Sequence, residues 1–84
     1  MPNEPDLHRQ QQYVKVLREV TAGDTLGPPQ DDDTNQTVRK FELSGHVFPV
    51  TLIDQMVAEH LLDRNEDRGV VMVAKGEQFF FRHR

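Results

Sequence analysis

The densest run of potential ligands lies between residues 31 and 42. Asp31, Asp33, Asn35, Thr37, Arg39 and Glu42 fall at positions 1, 3, 5, 7, 9 and 12 of a calcium-binding loop, with Val38 at the apolar position 8. Oxygen atoms at alternate positions wrap a hard cation, and a terminal glutamate closes such a site with both oxygens. Two features oppose it. Gln36 stands where the sharp turn needs glycine, and Pro28-Pro29 stand where an incoming helix belongs. A solvated acidic loop is the favoured reading of this stretch. Calcium held by Asp31, Asp33, Asn35 and Glu42 is the third-ranked alternative, and no metal or other cofactor is expected.

Other reactive side chains are dispersed. His60 and Asp63 are three residues apart, a spacing that sets two ligands on one helix face, but no third ligand is indicated. His60 lies on an apolar stripe, where a part-buried, hydrogen-bonded histidine is the simpler account. His8, His46 and His83 are scattered, and Ser44 sits in a turn without a Gly-x-Ser-x-Gly elbow. Gly23, Gly27, Gly45, Gly69 and Gly76 are too far apart for a phosphate loop. There is no cysteine, hence no thiol nucleophile and no disulfide framework. Asp54 and Glu59 are expected on a solvated helix face, where burial does not tune a carboxylate. The chain is expected not to be an enzyme.

The elements that position these groups follow from periodicity. Residues 1–6 carry two prolines and read as a disordered tail. Residues 7–23 read as a helix capped by Asp6, with Tyr13, Val14, Leu17 and Val20 on its buried stripe, Val16 part-exposed and Gly23 at its end. Residues 24–37 read as a flexible acidic loop with almost nothing to bury. From 38 the chain looks extended, Phe41 and Leu43 alternating with Lys40 and Glu42 up to a Ser44-Gly45 turn, and His46 to Phe48 is a short return or lead-in. Residues 50–62 give the strongest helical pattern, with Thr51 and Asp54 as a capping box and Ile53, Met56, Val57, His60 and Leu61 on one face. A charged turn over 63–69 precedes the strand Val70 to Val73, and residues 74–84 read equally as helix or returning strand. The expected core is Tyr13, Leu17, Val20, Phe41, Leu43, Val47, Ile53, Met56, Val57, Leu61, Val71, Val73 and Phe79.

The whole reads as one small α+β domain of 84 residues, with residues 38–84 as its centre. A chain of this size buries only about 60% of its unfolded surface, so a dimer partner would help it. Lysine and arginine total 10 against 14 acidic residues, a net charge of -4. Asp24, Asp31, Asp32 and Asp33 account for all of that excess, so the remainder is near neutral. No apolar run reaches the roughly 20 residues of a membrane span, and the first residues lack the pattern of a secretory signal. A cytoplasmic protein without a membrane partner is expected.

From Val50 onward the order of features resembles the C-terminal half of a winged helix-turn-helix domain. A helix ends in Glu-His-Leu-Leu, a charged tip runs Asp-Arg-Asn-Glu-Asp-Arg-Gly, and a strand Val-Val-Met-Val leads into Ala-Lys-Gly-Glu-Gln-Phe-Phe. In such regulators a glycine commonly precedes the two leucines, where this chain has His60. Met72 to Gly76 stands where a Leu-Thr-x-x-Gly stretch opens the last helix. The resemblance implies that 50–62 is a recognition helix, 63–69 a wing tip and 38–44 the first strand of a three-stranded sheet. It also implies a small DNA-associated transcription regulator. Double-stranded DNA would then be touched by Arg64, Asn65 and Arg68 at the wing and by Arg82 and Arg84 at the basic end. The alternative is a non-catalytic protein-interaction or homodimerisation module, its acidic loop facing a basic partner. Phe79, Phe80 and Phe81 cannot all share one face of a regular element, so at least one is expected to point outward as a dimer or partner contact.

Overall fold

A computed structural model describes residues 4–83, with side chains from His8 onward. Of the expected disordered tail at residues 1–6, residues 1–3 lie outside the described residues, as does Arg84, and Glu4 to Asp6 are instead the start of a helix. The fold is α+β. Helix α1 (Glu4–Thr21) is followed by strands β1 (Gln30–Asp31), β2 (Thr37–Lys40) and β3 (Val47–Pro49), helix α2 (Val50–Ala58), strands β4 (Leu62–Asn65) and β5 (Gly69–Met72), and helix α3 (Ala74–His83).

Helix α1 begins at Glu4, so Asp6 lies within its first turn and is not its cap. Tyr13, Val14 and Leu17 are buried as their spacing predicts. Val16, expected to be part-exposed, is 0% exposed. The reason is that α1 packs against both α3 and β5, which widens its apolar face beyond one stripe. After Thr21 the Gly23 N–H bonds to the Val20 carbonyl and the Asp24 N–H to the Glu19 carbonyl, with Gly23 at φ 87°. This paired closure around a left-handed residue ends the helix where glycine fits without strain.

The segment 24–37 is not the loose loop its composition suggests. Leu26 is buried in the core. Its N–H donates to the Arg68 carbonyl, while the Gly27 N–H donates to Lys40 O and the Glu42 N–H to Thr25 O. A single leucine in a polar stretch has no periodicity to betray it, yet here it ties the β4–β5 hairpin to the strand region. The following turn is organised by Asp32, whose Oδ1 accepts from the Thr34 N–H, the Thr34 hydroxyl and the Gln36 N–H. The Thr34 and Gln36 donors hold that carboxyl below its ordinary value. β1 and β2 then pair antiparallel, Asp31 opposite Thr37.

Strand β2 is central in an antiparallel sheet ordered β1-β2-β3, and β4–β5 form a separate two-stranded hairpin. The strand that the winged-helix resemblance assigns to the hairpin's sheet therefore pairs elsewhere, with Arg39 opposite Phe48. It stops at Lys40, short of the expected 44, because the chain turns back through Gly45 at φ 79°. That early turn reverses two core expectations. Leu43 is 80% exposed and Val47 48% exposed, while Phe48 enters the core against Phe41 with ring centres 5.8 Å apart.

Helix α2 has Pro49 at its N-cap and no side-chain cap bond, so Thr51 and Asp54 form no capping box. Ile53 and Met56 are buried as expected, and Val57 is half-buried. The helix ends at Ala58, before the expected 62, and His60 is exposed rather than part of the stripe. His60 lies in the left-handed region at φ 64°, with its N–H on Val57 O and the Leu61 N–H on Met56 O. This is the closure that Gly23 makes in α1, carried by a residue with a Cβ. His60→Gly is accordingly expected to stabilise the protein by about 1 kcal/mol, raising the thermal midpoint by roughly 4–8 °C. A lower midpoint would mean that the imidazole contributes something the backbone does not reveal.

In β5, Val70 is fully buried while Val71, and Val73 just past the strand, are half-buried, the opposite phase to the expected core. Four apolar residues in a row carry no alternation from which to read the phase. The ambiguous last segment is helical. α3 packs on α1, with Phe80 in the core and Phe79 half-buried 5.8 Å from the Tyr13 ring.

Tyr13 also donates its hydroxyl to Glu59 Oε2 at 2.9 Å, tying α1 to the end of α2. Burial, then the bond to Glu59 and its charge, push the phenol from 10.0 up to about 12. This is the only tyrosine, so absorbance titration reads it directly. Its folded value lies above its unfolded one, so its contribution to stability is complete below pH 10.0 and is lost as pH rises through about 12. A midpoint near the ordinary value would place the hydroxyl in solvent.

Candidate interaction site

Of the residues expected to touch nucleic acid, Arg64, Asn65 and Arg68 sit on the β4–β5 hairpin and Arg82 on α3, while Arg84 lies outside the described residues. Arg64 projects from β4 into solvent, and its guanidinium stands 3.6 Å from Asp54 of α2. An exposed pair at that distance contributes little to stability. Asn65 is occupied by its own turn, its Oδ1 accepting the Asp67 and Arg68 N–H groups at 2.9 Å each. Arg68 is exposed at the hairpin tip, and Arg82 is exposed on the last turn of α3. The tip as a whole is not basic, since Arg64 and Arg68 share it with Asp63, Glu66 and Asp67.

Beside the tip lies a groove of about 530 Å³ between residues 25–28 and 64–69, walled by Arg39 and Glu42. Arg39 does not present a free cation there. Its Nε donates to the Gly27 carbonyl at 2.7 Å and its Nη2 to the Leu26 carbonyl at 3.5 Å. Burial lowers its pKa, Asp54 opposes that, and the nearby Arg64 charge adds to it. Arg39 therefore braces the segment that crosses to the hairpin.

The calcium-loop spacing is spent on a β-hairpin. Asp31 accepts the Thr37 hydroxyl at 3.2 Å, Asn35 sits in the turn at φ 64°, and Glu42 lies beyond the far end of β2 in the hairpin groove. Strand β2 carries Glu42 away from Asp31 and Asp33 instead of folding it back. His60 and Asp63 likewise share no helix face, because α2 ends before both. Among the described residues no group of three or more His, Cys, Asp or Glu side chains is placed to hold a metal ion.

Of the three consecutive phenylalanines, Phe80 belongs to the core and is removed from the expected interface, and Phe79 packs on Tyr13 and His83. Phe81 is 56% exposed, with its ring 6.0 Å from that of Phe80. Among the described residues no helix is long and apolar enough to cross a membrane.

A second groove, of about 490 Å³, lies on the other edge of the sheet, and the sequence reading missed it. Gln12, Lys15 and Arg18 line one side, from one polar face of α1, and His46, Val47 and Phe48 line the other. Glu19 closes it through its carboxylate on His46 Nδ1. Lys15 and Arg18 also border a smaller depression, of about 220 Å³, that His83 lines, where Gln10 meets the His83 ring at 2.7 Å. Among the described residues neither Lys15 nor Arg18 is in an ion pair. The three-residue spacing of Gln12, Lys15 and Arg18 was visible as a polar helix face. That an edge strand lies beside it was not. No protein-family model, curated protein or solved structure matches the chain.

Proposed function

We propose that the protein is a small, non-catalytic, winged-helix-like module that binds other proteins. One observation carries this reading: the sign of the charge on each surface. The surface that a winged-helix regulator would lay on DNA is made of the outer face of α2 and the hairpin tip. Here it carries Asp54, Asp63, Glu66 and Asp67 against only Arg64 and Arg68. Most affinity for nucleic acid comes from cations that neutralise phosphates, and this face repels them. Lys15 and Arg18, in no ion pair among the described residues, stand apart from this face on α1, beside the second groove.

The winged-helix likeness is retained because two of its features have a physical basis in this chain. His60 occupies a left-handed position where the resemblance puts a glycine. Gly76 is placed where an added Cβ would lie 2.0 Å from the Leu61 carbonyl oxygen, a site open only to glycine. The non-catalytic reading is supported by the displaced carboxyl and phenol groups. Asp24, Asp32 and Tyr13 each spend their polar atoms on turns and helix ends.

Fluorescence anisotropy of a labelled random duplex at low and physiological salt tests this assignment. Little or no binding at either salt is expected. Tight, steeply salt-dependent binding that Arg64→Ala with Arg68→Ala abolishes would overturn it in favour of a DNA-associated regulator.

A further inference from the structure

We infer that the groove between α1 and β3 takes an extended acidic segment of a partner protein, which adds to β3 as a strand at Val47. The inference rests on the protein-binding reading above and names its site and ligand chemistry.

The backbone supplies the first half of the argument. The Phe41 N–H donates to the His46 carbonyl at 2.9 Å, and the Lys40 carbonyl accepts from Gly27 N–H at 2.8 Å, on the far side of β2. Antiparallel pairs alternate between bonded and non-bonded types. The Lys40–Val47 pair is thus of the non-bonded type, and the N–H and carbonyl of Val47 point away from β2 toward the open edge. β3 is an edge strand, and Val47 is 48% exposed upon it. An incoming strand finds one donor and one acceptor in place, the arrangement on which strand addition depends. Pro49 removes the next N–H, so the pairing is short and needs side-chain contacts to hold it.

Charge supplies the second half. Lys15 and Arg18 are exposed beside this edge without ion-pair partners among the described residues, and the one carboxylate in the groove, Glu19, is held by His46. An acidic strand complements them. A second copy pairing β3 to β3 about a two-fold axis would set Lys15 and Arg18 of each protomer toward those of the other, which opposes a homodimer here. Duplex DNA is disfavoured because two cations beside a narrow groove with an apolar floor of Val47 and Phe48 do not track a phosphate backbone.

The test is a residue-resolved NMR titration of the full chain with an end-blocked Glu-Val-Glu-Val-Glu peptide, with Lys-Val-Lys-Val-Lys, polyglutamate and random duplex DNA as comparisons. The acidic peptide is expected to shift the Val47 amide most, together with Lys15 and Arg18. Lys15→Glu with Arg18→Glu, both exposed positions, should weaken it at least tenfold, while Arg64→Glu with Arg68→Glu should not. Because a paired strand uses one backbone edge, peptides N-methylated at alternate residues should bind in one phase and fail in the other. If both phases behave alike while polyglutamate still shifts Lys15 and Arg18, strand pairing is wrong and the protein-binding reading survives. If DNA binds the hairpin and neither peptide nor polyglutamate binds the groove, both fall.

Discussion

Gly76→Ala should destabilise the protein by about 3 kcal/mol or more, lowering the thermal midpoint by roughly 12–24 °C. The sign is the informative part. Within a helix, replacing glycine by alanine ordinarily gains about 1 kcal/mol, because alanine loses less backbone freedom on folding. Gly76 lies in the first turns of α3, where a Cβ would stand 2.0 Å from the Leu61 carbonyl oxygen and 2.9 Å from its carbon. Neither atom is the mobile end of a side chain. The Leu61 carbonyl faces the Val73 N–H at 3.4 Å, and the Leu61 N–H is fixed to Met56 O by the closure of α2. Relief would require α3 to move away from the end of α2, drawing Phe80 out of the core. Lys75→Ala, exposed in the same turn, should stay within about 0.5 kcal/mol of the parent. Circular-dichroism melts of the two variants suffice. A more stable Gly76→Ala would show that α2 and α3 do not approach this closely.

Gly76 also marks what the sequence could and could not say. In the sequence it stood where the winged-helix pattern opens its last helix, within a segment that read equally as helix or returning strand. Its role exists only once the Leu61 carbonyl is beside it. Elements with strong periodicity were legible, namely the stripe of α1 and the Ile53 and Met56 face of α2, and the Val70 to Val73 run was legible as strand by residue type. Local tie points were not. Leu26, alone among polar residues, carried no pattern, and Val71 could not be ranked against Val70 within an unbroken apolar run. Leu43 alternated correctly with Glu42 but lay past the end of its strand, where alternation no longer decides what is buried. For the site, the exposed charges Arg64, Arg68 and Arg82 were found by composition. The groove beside Lys15 and Arg18 depended on β3 lying next to α1, a long-range contact that no local signal encodes.

Asp24→Asn should cost about 2–3 kcal/mol at neutral pH, although it sits in a segment whose Asp31 and Asp33 are exposed. The Asp24 residue is 3% exposed. Its Oδ1 accepts the Thr25 and Leu43 N–H groups at 2.8 Å each, and its Oδ2 accepts the Ser44 N–H at 2.9 Å. Burial alone would raise this carboxyl, but the Leu43, Ser44 and Thr25 donors outweigh it and hold it below the ordinary carboxylate range. An asparagine keeps one acceptor and turns its amide toward the other N–H, so a buried donor faces a donor. Because the folded value lies below the unfolded one, the stabilisation is complete above the ordinary carboxylate pKa and is lost as pH falls through the lowered value. The gap between wild type and Asp24→Asn should therefore narrow in acid. Asp31→Asn and Asp33→Asn, both exposed, should change stability by less than about 0.5 kcal/mol. The loss should also be localised. Leu43 and Ser44 belong to the turn that delivers His46 and Val47 to the edge strand, so their amides should exchange faster in Asp24→Asn. The acidic peptide should bind that variant more weakly even where the fold persists. Equal exchange at Leu43 and Ser44 in both proteins would separate this carboxylate from the β2–β3 turn, and with it the support it gives the Val47 edge.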